Sequence, residues 1–432
     1  MSTSDIQHVT VALPTLGCKV NRYDSDALAR ALSALGYQIV RAHEPADVYI
    51  VNTCTVTGGA EAKSRKTWRH VRKLNPQARI ILTGCYAALA PEQLAGMDGV
   101  DAVVPITAQD DIPALIAQWL PCAPPACEAS RPRGLTASIE RTRATVKVQD
   151  GCNLRCAYCA VTLARGPLRS RPLPEVLDEL RGLVAAGLPE IVLTGVRLDA
   201  YGRERGEQLT DLIHATRDLA IPRLRLSSLE PIGVHPPLIA ALAAHPTLCH
   251  HFHLCLQSGD DGMLQAMRRG YTAEHFSRLV GDIRAAMPDS TFSTDVIVGF
   301  PGETDEAFAR SAALIEELDI IKLHIFKFSP RPGTAAATFP AQVGAVVKEA
   351  RSEALFALEH KLFRQYAAAR IGARVAVLVE RTGAAGEGLT SHYVRVRAPF
   401  APAAVGTIQT VRITNMGDGD LRGVVCEAID DT

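Results

Sequence analysis

Val148-Gln-Asp-Gly-Cys152-Asn-Leu-Arg-Cys156-Ala-Tyr-Cys159 places three thiols within eight residues. Thiolates are the usual ligands of iron–sulfur clusters. Three of them cannot complete a four-iron cluster, so one iron would stay open for another ligand. The competing reading is a zinc knuckle, but structural zinc takes four ligands, and no further Cys or His lies close enough on either side to act as the fourth. The apolar run at 145–148 reads as a strand, so the thiol loop sits at the carboxyl end of the first strand of whatever sheet follows.

That sheet continues downstream. Strand-like runs fall at 190–193, 224–226, 251–256, 293–298 and 324–328, with helical stretches between them such as 174–186 and 273–287. Alternation of this kind predicts parallel strands with crossover helices. Six βα repeats are too few for a closed eight-fold barrel, and barrel enzymes work at the carboxyl ends of their strands. Small and polar residues occupy those ends: Thr194-Gly195, Ser228 and Glu230 in Ser227-Ser-Leu-Glu-Pro231, Gln257 in Gln257-Ser-Gly259, and Asp295 at the head of Asp295-Val-Ile-Val-Gly-Phe-Pro-Gly-Glu303. Such side chains can approach a ribose, carboxylate or ammonium closely, although Ser and Gly also simply end strands.

Upstream, residues 9–120 give a second α/β pattern: strands at 9–13, 47–52 and 79–83, helices at 24–35 and 58–74. This predicts a parallel, doubly wound sheet, whose ligands lie beyond the strand carboxyl ends. Three more cysteines fall there, Cys18, Cys54 and Cys85, each a few residues after an apolar strand. Buried free cysteines are common, but three at equivalent strand ends predict a second cluster site. Residues 121–141 are rich in Pro, Ala and Arg and read as a linker; Cys122 and Cys127 within it have no matching partner pair.

The 432-residue length predicts two or three domains. Hydrophobic residues make up 47%, as in an ordinary globular protein. No apolar run of about 18 residues and no signal-peptide pattern is present, so a cytoplasmic protein without a membrane partner is expected. In that compartment the eleven cysteines are better read as metal or catalytic groups than as disulfides. Net charge is zero, yet residues 61–79 carry Lys63, Arg65, Lys66, Arg69, Arg72, Lys73 and Arg79 against Glu61 alone, and residues 121–172 carry nine Lys/Arg against three acids. Such patches can neutralise phosphates, although a basic helix face is also often just solvated.

The last sixty residues change character. Runs at 374–380, 392–397 and 407–414 are β-branched, partly alternating and separated by Gly-rich turns. They predict a small antiparallel β-barrel of OB-like type, a common oligonucleotide scaffold, although residues 374–432 hold six Arg against seven acids. A purely structural barrel is the alternative.

The Cys-x3-Cys-x2-Cys loop resembles that of the radical S-adenosylmethionine (SAM) enzymes, and the whole order resembles the methylthiotransferases along nearly the entire chain. The stretches that carry the resemblance include Thr15-Leu-Gly-Cys-Lys-Val-Asn21, Asn52-Thr-Cys-Thr-Val-Thr57, Arg165-Gly166, Glu190-Ile-Val-Leu-Thr-Gly195, Leu226-Ser-Ser-Leu-Glu-Pro231, Leu256-Gln-Ser-Gly259 and Ser329-Pro-Arg-Pro-Gly-Thr334. The first two look most like the branch acting on threonylcarbamoyladenosine (t6A) in tRNA; the isopentenyladenosine and ribosomal-protein branches are the alternatives, and a metal-containing RNA-binding protein is the non-enzymatic one. Cys255, Lys327, Thr162 and Arg197 depart from the family pattern, and none is a cluster ligand.

The resemblance implies an N-terminal domain over 8–120, a linker over 121–141, an open (βα)6 radical SAM core over 142–370 and a TRAM barrel over 372–432. It implies two [4Fe-4S] clusters, one on Cys152, Cys156 and Cys159 that binds and cleaves SAM, and an auxiliary one on Cys18, Cys54 and Cys85 that carries the sulfur to be inserted. One SAM would methylate that sulfur; a second would yield the radical that takes hydrogen from adenine C2 at position 37. Tyr158, Thr194, Gly195, Ser228, Glu230, Gln257 and Asp295 are the expected SAM contacts. Expected partners are the tRNA anticodon loop, approaching across residues 63–73, the 131–147 arm and the barrel, with a low-potential electron donor such as a flavodoxin and a sulfur donor; DNA is not expected.

Overall fold

The computed structural model describes residues 9–55, 58–122 and 142–426; most of the expected linker, Cys127 included, lies outside them. The N-terminal unit is a five-stranded parallel sheet: β1 (Thr10–Ala12), β2 (Gln38–Val40), β3 (Val48–Thr53), β4 (Arg79–Gly84) and β5 (Ala102–Val103), in the order β2-β1-β3-β4-β5. Every residue of β3 is buried, as expected of a central strand covered on both faces. Helix α1 (Lys19–Ala34) starts several residues before the expected 24. Helix α2 (Gly58–Leu74) buries Ser64, Trp68 and Val71 and turns its cations outward.

The central unit holds β6 (Ala144–Asp150), the short antiparallel β7 (Arg169–Ser170), β8 (Ile191–Gly195), β9 (Leu224–Leu226), β10 (His251–His253), β11 (Thr291–Val298) and β12 (Lys322–Lys327). β6, β8 and β9 are parallel neighbours, as are β10, β11 and β12. The two groups are joined by a parallel bridge, Leu229 to Leu254. Six parallel strands thus form one open curved sheet, the (βα)6 arrangement. One face, with Val146, Leu193, Phe252, Leu254, Phe292 and Leu323, packs into the main apolar core. Side chains alternate across a strand, so Lys147, Gln149, Thr194, Arg225, His253, Asp295 and His324 face the concave side, the lumen. β10 is shorter than expected: regular pairing stops after His253, and beyond it only isolated bridges remain, Leu254 to Leu229 and Gln257, at φ +68°, to Val296.

Helix Ala345–Ala368 leads to the C-terminal unit, a closed barrel of β13 (Arg374–Arg381), β14 (Gly383–Thr390), β15 (Arg395–Phe400), β16 (Ile408–Met416) and β17 (Leu421–Val425). All pairings are antiparallel except β15 with β17, which closes the barrel in parallel. Among the described residues no helix is long and apolar enough to cross a membrane.

Candidate active site between two cysteine sets

β1, β3 and β4 lie side by side, so their carboxyl ends deliver the upstream cysteines to one place. Cys18 is the N-cap of α1, Cys54 follows β3 directly, and Cys85 follows β4. Gly17, at φ +98°, passes so close that a Cβ there would lie 2.8 Å from Cys54 Sγ; only glycine fits this conformation and this gap. Asn21 Nδ2 donates to the carbonyls of Leu16 (2.9 Å) and Thr53 (3.0 Å), pinning the Cys18 loop to the Cys54 loop. Burial pushes the Cys85 thiol up to about 11; Arg165 opposes the rise, and Cys18 and Cys54 add to it. Cys85 Sγ in turn lies 3.8 Å from Asn21 Oδ1, so the residue that pins the Cys18 loop to the Cys54 loop also touches the third thiol. Cys122 lies apart, its thiol 3.4 Å from the Gly36 carbonyl.

The downstream trio occupies the loop after β6. Gly151, at φ +68°, abuts the Pro167 carbonyl at a distance no Cβ could share. Backbone N–H groups of Leu154 and Val161 donate to Cys152 Sγ and Cys159 Sγ, both at 3.4 Å, and Arg269 Nη1 donates to Cys156 Sγ at 3.1 Å. Burial raises the Cys159 thiol to about 12, with Cys156 and Cys152 adding to the rise. Such thiols stay protonated until a metal takes the proton's place.

The cavity fits a polynuclear group better than a single zinc. Zinc bound tetrahedrally at 2.3 Å needs its sulfurs about 3.8 Å apart. Among the described residues only His253, Asp295 and His324 bring three ligand atoms within 4.8 Å of one another, so both thiol sets are more open than that. The two domains are tied beside the sets by Arg165, which sequence reading picked out only as part of a matching motif. This core residue is 2% exposed; it donates to Cys85 Sγ (3.3 Å), Asn21 Oδ1 (2.5 Å), Asp24 Oδ2 (2.9 Å) and both carboxylate oxygens of Asp150 (3.0 Å). Lys147 completes the group by pairing with Asp24 and Asp150.

Apart from Tyr158, which belongs to the thiol loop itself, the expected SAM contacts lie on or just beyond strands of the sheet whose first strand leads into the downstream trio. Glu230 joins the trio through Arg269, which binds the Glu230 carboxylate, the Cys255 carbonyl and Cys156 Sγ together. Gln257 holds β11 by accepting from the Ile297 N–H, and its own N–H donates to the Asp295 carbonyl. Thr194 is buried and Ser228 exposed. Gly195 lies against the Gln149 side chain, whose Oε1 would be 2.9 Å from a Cβ there. Tyr158 packs beside Met267, Ile297, Phe300 and Phe328. Asp295 lies beside His253 and His324, each 3.2 Å from its Oδ1. Arg269, His253 and His324 were not singled out in the sequence, and Arg197 only as a departure from the family pattern. Arg197 donates to Asn153 Oδ1 (2.9 Å) in the thiol loop. Only buried partners show that these residues belong to the site.

The cations expected to meet RNA divide. Ala62, Arg65, Lys66, Arg69, His70 and Lys73 line an open groove along α2, whereas Arg72 and Arg79 are bound to Asp101. In the described part of the 131–147 arm, Arg143 pairs with Glu190 and Glu380, and Lys147 with Asp24 and Asp150.

Residues 10–105 match the model of Uncharacterized protein family UPF0004, and residues 146–315 match that of the Radical SAM superfamily. The chain is 37% identical over 420 residues to the threonylcarbamoyladenosine tRNA methylthiotransferase MtaB of Thermotoga maritima, covering 95% of both chains. It is 35% identical to that of Bacillus subtilis, covering 94% of both, and 34% identical to the ribosomal protein uS12 methylthiotransferase RimO of Chloroflexus aurantiacus, covering 87% of this chain and 88% of the relative. Among solved structures, the radical SAM methyltransferase TsrM of Kitasatospora setae superimposes with a TM-score of 0.57 at 18% identity over 77% of each chain. The radical SAM enzyme OxsB superimposes with 0.51 at 12% identity, over 83% of this chain and 56% of the other. These likenesses concern the fold.

Proposed function

We propose, from the premise that the chain belongs to the radical SAM methylthiotransferase family, that it inserts a methylthio group at C2 of t6A at position 37 of tRNA. The observation that carries the reading is the pair of three-thiol sets on two domains, joined through Arg165. The near full-length likeness to the t6A enzymes supports the choice of substrate.

Cys152, Cys156 and Cys159 would hold one [4Fe-4S] cluster and Cys18, Cys54 and Cys85 the other. When bound, the clusters and SAM supply the radical and sulfur chemistry that an adenine C2–H, which has no acidic proton, demands. The chain's own residues do the rest. Arg269 and Arg165 place positive charge against one thiolate of each set, offsetting the charge that metal binding leaves on sulfur. Tyr158, Thr194, Gly195, Ser228, Glu230, Gln257 and Asp295 are the groups that would receive SAM. The α2 groove offers cations to phosphates, with the target base splayed from its loop. A low-potential donor such as a flavodoxin would supply electrons and a sulfur donor would restore the inserted atom, in the cytoplasm where tRNA is modified.

Nucleoside mass spectrometry of tRNA from a deletion strain tests the reading: the methylthio form of t6A should vanish and return with the wild-type gene. Cys156→Ala should abolish SAM cleavage, while Cys18→Ala should spare cleavage and stop thiolation. Unchanged tRNA with a modified ribosomal protein would favour the uS12 branch; equal loss of cleavage in both variants would refute the division between the sets.

A further inference from the structure

From the cluster His253, Asp295 and His324 in the lumen we infer a binding site for one divalent first-row transition-metal ion, separate from both cysteine sets. The three residues stand on adjacent parallel strands β10, β11 and β12, in register: His253 pairs with Ser293, and Asp295 with His324. Their side chains therefore leave the sheet on the same face, opposite the apolar core.

The distances suit a shared ion. Metal–nitrogen and metal–oxygen bonds of 2.0–2.1 Å put neighbouring ligand atoms about 2.9 Å apart at right angles and about 3.4 Å apart in a tetrahedron. Asp295 Oδ1 lies 3.2 Å from His253 Nε2 and 3.2 Å from His324 Nδ1, and all three ligand atoms lie within 4.8 Å of one another. His253 Nε2 is buried and, although 3.2 Å from Asp295 Oδ1, makes no hydrogen bond of good geometry. A buried imidazole nitrogen in that position costs free energy unless it is given a partner.

The surroundings orient the ligands as metal sites require. His253 Nδ1 is 3.0 Å from Ser293 Oγ, which fixes that nitrogen and leaves Nε2 toward the lumen. Asp295 Oδ2, not used by the imidazoles, accepts from the Cys255 thiol at 3.6 Å. The imidazole rings stack at 4.9 Å between centroids. Two imidazoles and one carboxylate favour zinc or ferrous iron over magnesium or calcium, and three protein ligands leave positions for water or an anionic oxygen of a lumen ligand. His324 is 43% exposed, so an ion can enter.

Zinc is the probe. Full-length protein, reconstituted anaerobically with iron and sulfide, is dialysed against micromolar Zn2+ and its metals are counted by mass spectrometry. Wild type should retain one zinc per chain beyond its iron. His324→Ala, at an exposed ring, and Asp295→Asn should hold it at least about tenfold more weakly with iron unchanged. No zinc in wild type, or equal zinc in wild type and His324→Ala, overturns the site and leaves a metal-free His–Asp–His cluster. The count is independent of thiolation, so it stands or falls apart from the proposed reaction.

Discussion

Arg165 shows how much can rest on one side chain. Its guanidinium is buried among Asp24, Asp150, Asn21 and Cys85, and the fork geometry of arginine lets it serve all four at once. Removing one partner of a buried ion pair leaves charge without compensation, which costs about 3–5 kcal/mol. Arg165→Met should therefore lower unfolding free energy by about that amount in anaerobic urea titrations, and the iron proposed for Cys18, Cys54 and Cys85 should be lost before that of the other set. Arg165→Lys keeps the charge but not the fork and should fall between. A midpoint for Arg165→Met indistinguishable from wild type would show that the two domains are joined by other contacts.

Elements reveal a second buried charge group, at the opposite end of the lumen. Arg225, on β9, donates to Glu190 (2.9 Å) and to the Thr390 and Ser391 carbonyls at the end of β14 (3.0 Å each). Arg223 donates to Leu389 and Ala376, so the C-terminal barrel is seated on arginines anchored by one carboxylate. Burial works against ionising Glu190, but Arg225, Arg143 and Arg223 outweigh it and hold its carboxyl below the usual range. Its folded-state value lies below the unfolded value of about 4.3. The stabilisation is therefore complete above roughly pH 5 and is lost as pH falls through the folded value. Urea midpoints at pH 7 and pH 4 should differ more for wild type than for Glu190→Gln; equal differences would exclude Glu190 as the anchor. In the sequence these arginines look like surface charges. The thiol loops were legible because each follows an apolar run, and the six core repeats because strand and helix periods alternate. β5 has two residues and β14 is rich in glycine, so neither carries a period. The start of α1 was hidden because Asn21, Asp24 and Ser25 are buried polar groups serving the site, which breaks the apolar stripe.

At the scale of the molecule, zero net charge conceals a division of labour. Four of the barrel's six arginines are internally matched, Arg381 and Arg395 to Glu387 and Arg397 and Arg422 to Asp420, so the barrel offers mainly shape rather than charge to a nucleic acid. The α2 groove is different: Lys66, Arg69 and Lys73 line it without an acid among its lining residues, on the helix that begins just after Cys54. An anticodon stem-loop drawn to this groove would bring its base toward the cysteine sets, and the counterions released would make binding fall with salt. Each neutralised phosphate contributes about 0.7–0.9 to the slope of log affinity against log salt. Lys66→Glu with Arg69→Glu should therefore flatten that slope by about 1.5 and weaken tRNA binding at low salt by at least about tenfold, as read by filter binding with iron content matched to wild type. If slope and affinity both survive the double charge reversal, the RNA docks elsewhere and the groove is only a solvated helix face.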